Sequence, residues 1–155
     1  MIELGWALVR AGRPTQWSKN LLLFLALFFT VNEAWYLHDL ERATSLLART
    51  TLAFAIFSVL SGATYLVNDI FDIESDKRHP KKHLRPIASG KLPLSVAWAA
   101  SLTLIPASLA AAFLLESPFG VVAFIYTVTT VAYTLMLKRL ILIDIFAISS
   151  GFVLR

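Results

Sequence analysis

The chain contains no cysteine, which excludes disulfides and any thiol nucleophile. Charge is almost as scarce. Asp, Glu, Lys and Arg make up only 15% of the 155 residues, against about a quarter in ordinary soluble domains. There is no low-complexity linker, short-period repeat or evident domain boundary. Apolar residues fill the space instead, at 57% of the chain, with a mean hydropathy of +0.70. Residues 50–67, 92–115 and 117–137 carry no formal charge over 18, 24 and 21 positions, close to the about 20 that a bilayer-crossing helix needs. Residues 21–31 form a shorter clean run, extended toward Trp35 and Tyr36, aromatics of the type found at headgroup level. A fifth apolar run starts at Leu140 and continues to Arg155. The expected fold is all-α, a multi-pass transmembrane bundle. A carboxyl terminus inside a span would be costly, so residues 1–155 read as the N-terminal part of a longer single domain.

The basic residues give that bundle a direction. Arg10, Arg13 and Lys19 precede the first span, six Lys and Arg lie between the second and third, and Lys138-Arg139 lie between the fourth and fifth. The alternate connections are poor in cations. By the positive-inside rule, the N-terminus and the loop after the second span are expected to be cytoplasmic, in a cell membrane. Residues 30–33 lack the small side chains of a signal-peptide cleavage site. Residues 1–16 read as an interfacial helix, with Ile2, Trp6 and Val9 toward lipid and Arg10 and Arg13 toward headgroups. Cationic flanks beside anionic lipid account for the net charge of +4, so no nucleic-acid partner is expected. Small residues at Ala97, Ala99, Ala100, Ser101, Ala107 and Ser108 suit the third span for close helix packing, and Pro106 falls inside it.

Carboxylates are few, and they cluster. Of ten in the chain, four fall between Asp69 and Asp76, at the mouth of the second apolar run. If the helix continues, Asp69, Asp72 and Asp76 at i, i+3 and i+7 share a face, with Asn68 four residues before Asp72. A helix C-terminus carries partial negative charge, so carboxylates gathered there repel the dipole and one another. A cation among them reverses that balance. Mg²⁺ suits such a place, because it uses one or two carboxylates and completes its shell with waters and phosphate oxygens.

The following stretch supplies the opposite charge. Lys77, Arg78, Lys81, Lys82, Arg85 and Lys91 all fall within it, and some serve as topology determinants. Pro86 favours an extended backbone at Arg85, and a fixed guanidinium can grip phosphate bidentately. Lys82 and Arg85 are therefore candidate phosphate ligands, with Lys77 and Arg78 behind them. His79 either donates to phosphate or shapes the turn before Pro80. Lys19, next to Asn20, either snorkels to headgroups or reaches phosphate from the first span. Asp144 lies barely one turn inside the fifth run, as a functional acid or as a partner of Lys138-Arg139.

The run Asn68-Asp69-x-x-Asp72-x-x-x-Asp76 resembles the first aspartate-rich motif of the UbiA superfamily of intramembrane prenyltransferases, matching each fixed position. His79-Pro80, Lys82 and Arg85-Pro86-Ile87-Ala88-Ser89-Gly90 are similar to the decaprenyl-phosphate phosphoribosyltransferase branch. So are Arg13-Pro14, Gln16-Trp17, Lys19-Asn20 and Gly151-Phe152-Val153-Leu154-Arg155. The resemblance covers nearly the whole chain. It implies about nine transmembrane helices, of which about five fall here, and a second aspartate-rich motif beyond them. On that basis residues 1–155 alone are expected to be inactive.

The implied reaction transfers 5-phosphoribose from phosphoribosyl pyrophosphate to a polyprenyl (decaprenyl) phosphate, for cell-wall precursor synthesis. Asp72 and Asp76 would be the catalytic carboxylates, holding Mg²⁺ with support from Asn68 and Asp69. Lys82, Arg85 and Lys19 would bind phosphate. An alternative within the superfamily moves a polyprenyl group from its diphosphate to an aromatic acceptor. Another class altogether, a cation channel or transporter, could use the carboxylates but fits the mixed charge poorly. Self-association is left open.

Overall fold

A computed structural model describes residues 2–31, 35, 36 and 38–135. The fifth apolar run, Lys138-Arg139, Asp144 and the Gly151–Arg155 motif lie outside the described residues. Within them the chain is helical, and the pairing of Val31 with Trp35 is an isolated bridge. The α-helices are α1 (Ile2–Ala11), α2 (Leu23–Phe29), α3 (Leu40–Phe71), α4 (Ile73–Arg78), α5 (Leu94–Leu115) and α6 (Ser117–Leu135). Three of them, α3, α5 and α6, are long and apolar enough to cross a membrane.

Asp39 starts α3 by accepting a hydrogen bond from the Arg42 backbone N–H at 3.0 Å, which satisfies one of the open donors of the first turn. With 32 residues the helix is about 48 Å long, more than the about 30 Å of a hydrocarbon core, so its ends extend into the polar layers. Pro93 precedes α5, and Pro106 lies within it without ending it. Only Glu116 separates α5 from α6, its extended backbone folding the two into an antiparallel pair. Arg49 on α3 meets Glu116 at 3.6 Å at one end of the bundle. Thr134 near the end of α6 meets Asn68 near the end of α3 at the other. α6 therefore runs parallel to α3.

The core is built where these helices touch. Phe57, Leu60, Ala112, Ala123 and Tyr126 form one cluster, with Phe57 and Tyr126 ring centroids 4.7 Å apart. Ala97, Ser101, Ser108 and Ala112 are the buried positions of α5, while Ala99 and Ala107 are exposed, so only part of the small-residue set serves packing. A second cluster of Ala11, Leu66, Ile70, Ile87, Leu92 and Ala97 lies near the acidic end of α3. Through it, both α1 and the loop before α5 are fastened to the bundle.

The first apolar run departs from the expected span. A 3-10 helix over Pro14–Leu22 leads into the seven-residue α2, and neither has the length to cross a bilayer as one helix. Side chains three residues apart eclipse in a 3-10 helix. That winding serves Trp17 and Asn20 together: the Trp17 indole donates to the Gly12 carbonyl at 3.0 Å, and Asn20 donates to Ser58 at 3.0 Å and Ser61 at 3.3 Å on α3.

Candidate functional site

The acidic end of α3 is a corner, where an unbroken helix was expected. Asp72 closes α3 with φ −96° and ψ 3° and opens α4. Backbone bonds still span the corner, from Asp72 N–H to the Asn68 carbonyl at 3.0 Å and from Asp76 N–H to the Asp72 carbonyl at 2.8 Å. The corner divides the carboxylates. Asp69 and Asp76, 2% and 1% exposed, both accept from Nη1 of Arg85, at 3.2 and 2.6 Å. Asp72 stays half-buried and accepts from Asn68 Nδ2 at 3.1 Å. Asn68 Oδ1 in turn accepts from Thr134 Oγ1 at 3.4 Å, which ties this pair to α6.

Arg13 is the part of the site that sequence reasoning missed. It was expected to face headgroups, but its guanidinium binds Asp69 and lies 4.7 Å above the Tyr65 ring. Its backbone is left-handed, with φ 51° and ψ 65°, uncommon for a residue with a side chain. The preceding glycine explains how Arg13 reaches Asp69. A Cβ on Gly62 would lie 3.3 Å from the Gly12 carbonyl oxygen and 3.4 Å from its Cα, so backbone packs directly on backbone. Gly62 and Asp69 are seven residues apart on α3, two turns along one face, so seating Gly12 on Gly62 brings Arg13 toward Asp69. The Arg13-Pro14 pair signals the end of α1, because Pro disfavours right-handed helical backbone in the residue before it, but not the left-handed turn that Arg13 takes.

The loop places Arg85 from the other side. Its backbone is extended, at φ −61° and ψ 145°, as the following Pro86 requires. Ile87 and Leu92 are buried beneath it, Leu92 N–H bonds the Pro86 carbonyl at 2.9 Å, and Gly90 takes the φ of 75° that turns the chain. Arg10, Arg13, Asp69, Lys81, Arg85 and Pro86 line a cavity of about 280 Å³ between α1 and this loop.

The other expected ligands lie around this centre. Lys77 pairs with Glu74 at 3.0 Å on the exposed side of α4, and Arg78 and Lys82 are exposed. His79 shapes the turn, its Nδ1 accepting from the backbone N–H of Lys81 at 3.1 Å and of Lys82 at 3.3 Å. Lys19 is half-buried on the 3-10 helix beside buried Asn20. Among the described residues no three His, Asp or Glu side chains converge as a ready-made metal cage. Mg²⁺ does not require one, since one or two carboxylates with substrate phosphate oxygens and waters suffice. Asp72 and Asp76, on adjacent turns with the Asn68 oxygen nearby, have the hard oxygen chemistry for that mode.

An apolar helical bundle that carries carboxylates and arginines together at one polar end defines a multi-pass membrane protein with a mixed-charge site at its edge. The chain belongs to the UbiA prenyltransferase family, whose model matches residues 25–155. It is 35% identical over 147 residues to decaprenyl-phosphate phosphoribosyltransferase of Mycobacterium tuberculosis, covering 95% of this chain and 47% of that one. It is 34% identical over 155 residues to the protein of the same name from Corynebacterium glutamicum, covering 99% and 45%. Digeranylgeranylglyceryl phosphate synthase of Methanococcoides burtonii is 40% identical over 90 residues, covering 58% and 31%. The chain spans just under half the length of the two phosphoribosyltransferases.

Proposed function

We propose that the protein transfers 5-phosphoribose from phosphoribosyl pyrophosphate to a polyprenyl phosphate, releasing pyrophosphate, at the cytoplasmic face of the cell membrane. The observation that carries this reading is the division of the site. Asn68 and Asp72 form one polar group, and Arg85, fixed by Asp69 and Asp76, borders a separate cationic cavity. A donor with phosphate at both ends of a sugar needs two such places. The names of the mycobacterial and corynebacterial relatives agree with the same substrate class.

In the reaction the C1–O bond of the donor breaks, and its electron pair leaves with pyrophosphate. A phosphate oxygen of the acceptor forms the new bond to C1. That oxygen is already anionic, so no general base is required. Asp72 and Asp76, with Asn68, would hold Mg²⁺, which would supply charge neutralisation for the departing pyrophosphate. Arg85 grips donor phosphate oxygens, with Lys82 and Lys19 as further cations for donor or lipid phosphate. Asp69 keeps the guanidiniums in place. The polyprenyl tail lies among the apolar helices, and rate is gained mainly by positioning.

Prenyl transfer from a diphosphate is the second reading, favoured by the similarity to digeranylgeranylglyceryl phosphate synthase. The two part on the donor. Membranes carrying the protein from its complete reading frame are given labelled phosphoribosyl pyrophosphate or labelled polyprenyl diphosphate, with Mg²⁺ and polyprenyl phosphate. Label reaching lipid from the first donor is expected. Pyrophosphate release from the prenyl donor alone would overturn the phosphoribosyl reading.

A further inference from the structure

The geometry points to the cavity between α1 and the Lys81–Pro86 loop as a seat for a phosphomonoester dianion, held by Arg10, Arg13, Lys81 and Arg85 without a metal ion. Three observations carry it. The first is charge. Four cations border the cavity, and Asp69 and Asp76 neutralise two of them through Arg13 and Arg85. Among the described residues Arg10 and Lys81 are in no ion pair, so two positive charges remain, matching the −1.5 to −2 of a phosphate monoester near neutrality. The second is orientation. Buried Asp69 takes hydrogen bonds from both arginines, and each guanidinium has five N–H donors, so the remaining ones can serve an anion. Arg13 is delivered there by a left-handed backbone and the Gly12–Gly62 contact. The third is size. At about 280 Å³ the cavity falls just below the about 300–1,000 Å³ of pockets for drug-sized ligands, room for a phosphate together with the small group that carries it.

None of Asn68, Asp72 and Asp76 lines this cavity, which sets it beside the place assigned to metal and pyrophosphate, with Asp76 reaching it only through Arg85. A phosphomonoester reaches it from one of two sources, the 5-phosphate of the sugar donor or the phosphate of a lipid. The sugar source rests on the phosphoribosyl reading. The cavity's affinity for a monoester does not.

The test uses the protein from its complete reading frame in phosphatidylcholine nanodiscs with EDTA. Calorimetric titration with ribose 5-phosphate is compared with ribose. Saturable binding of the phosphate alone is expected, weakened roughly tenfold or more in Arg10→Gln/Lys81→Gln and kept in Asp72→Asn. In the second arm, phosphatidic acid replaces part of the phosphatidylcholine, with the diester phosphatidylglycerol as control. Displacement of ribose 5-phosphate by phosphatidic acid only, again lost in the double variant, identifies a lipid monoester as the occupant. Arg10 and Lys81 lie outside the ion-pair network, and an unchanged melting temperature verifies that the double variant is folded. The proposal is overturned if neither monoester binds without metal, or if the double variant binds both as the parent does. Ribose 5-phosphate binding without phosphoribosyl transfer would instead remove the phosphoribosyl reading and leave the cavity's chemistry standing.

Discussion

Gly12 and Gly62 pack backbone against backbone, so closely that a Cβ on Gly62 would stand 3.3 Å from the Gly12 carbonyl oxygen. This contact positions the Arg13 side of the site, because Arg13 follows Gly12 directly. Two effects oppose each other at Gly62. Alanine gains about 0.8–1.0 kcal/mol of helix propensity but needs a few tenths of an ångström from its neighbour. Gly62→Ala is expected to be close to neutral in thermal denaturation. Gly62→Val overpacks the contact and should cost about 1–3 kcal/mol, with a raised KM for the phosphorylated donor as Arg13 moves. Wild-type stability and KM in the valine variant would show that the contact is not needed.

Arg85 bridges Asp69 and Asp76, and Asp76 is only 1% exposed. Removing one member of such a pair leaves a buried charge, at a cost of about 3–5 kcal/mol, whereas removing both is far milder. Arg85→Leu should therefore destabilise more than Arg85→Leu/Asp76→Asn. The check is a double-mutant cycle in detergent unfolding, and purely additive effects would count against the bridge.

Asp72 is half-buried and lies outside that bridge. Asp72→Asn is expected to fold normally and to lose at least about a hundredfold in kcat, if its charge holds the metal that neutralises pyrophosphate. Melting temperature and turnover over a Mg²⁺ titration separate the two effects. A loss of melting temperature matching the loss of turnover would make Asp72 structural.

Arg49 and Glu116 meet at 3.6 Å, but both are mostly exposed, at 64% and 58%. Such pairs contribute about 0–1 kcal/mol. Glu116→Gln should leave stability and activity within error of the parent, read by melting temperature and phosphoribosyl transfer. A large loss would show that this end of the bundle has a role beyond closing the α5–α6 turn.

The lack of cysteine in residues 1–155 makes orientation directly measurable. Ser75→Cys in α4 and Ser117→Cys at the start of α6 lie at opposite ends of the bundle. With positive-inside placement, an impermeant thiol reagent applied outside intact cells labels position 117 and spares 75. The reverse pattern would invert the topology.

Much of this could be read in order along the chain. Charge-free runs of bilayer length marked α3, α5 and α6, because hydrocarbon tolerates little else. The density of carboxylates after Val67 marked the candidate site, and Pro86 by itself favours the extended backbone of Arg85. These are local properties, decided by composition and by the few residues on either side. The winding of Pro14–Leu22 was not legible, since the hydrogen bonds that reward it come from Ser58 and Ser61 on another helix.

The division of the acidic cluster belongs to the tertiary structure as well. Spacing along an unbroken helix placed Asp69, Asp72 and Asp76 on one face. Two arginines, one 56 residues earlier and one nine residues later, turn Asp69 and Asp76 into their partners and leave Asp72 with Asn68. The sequence by itself determined that charge would gather at the polar end of a membrane helix. Which charges face one another depended on the packing of glycine on glycine and of Ile87 and Leu92 under their loop. Packing brings distant residues within hydrogen-bonding distance, and no spacing along the chain encodes that.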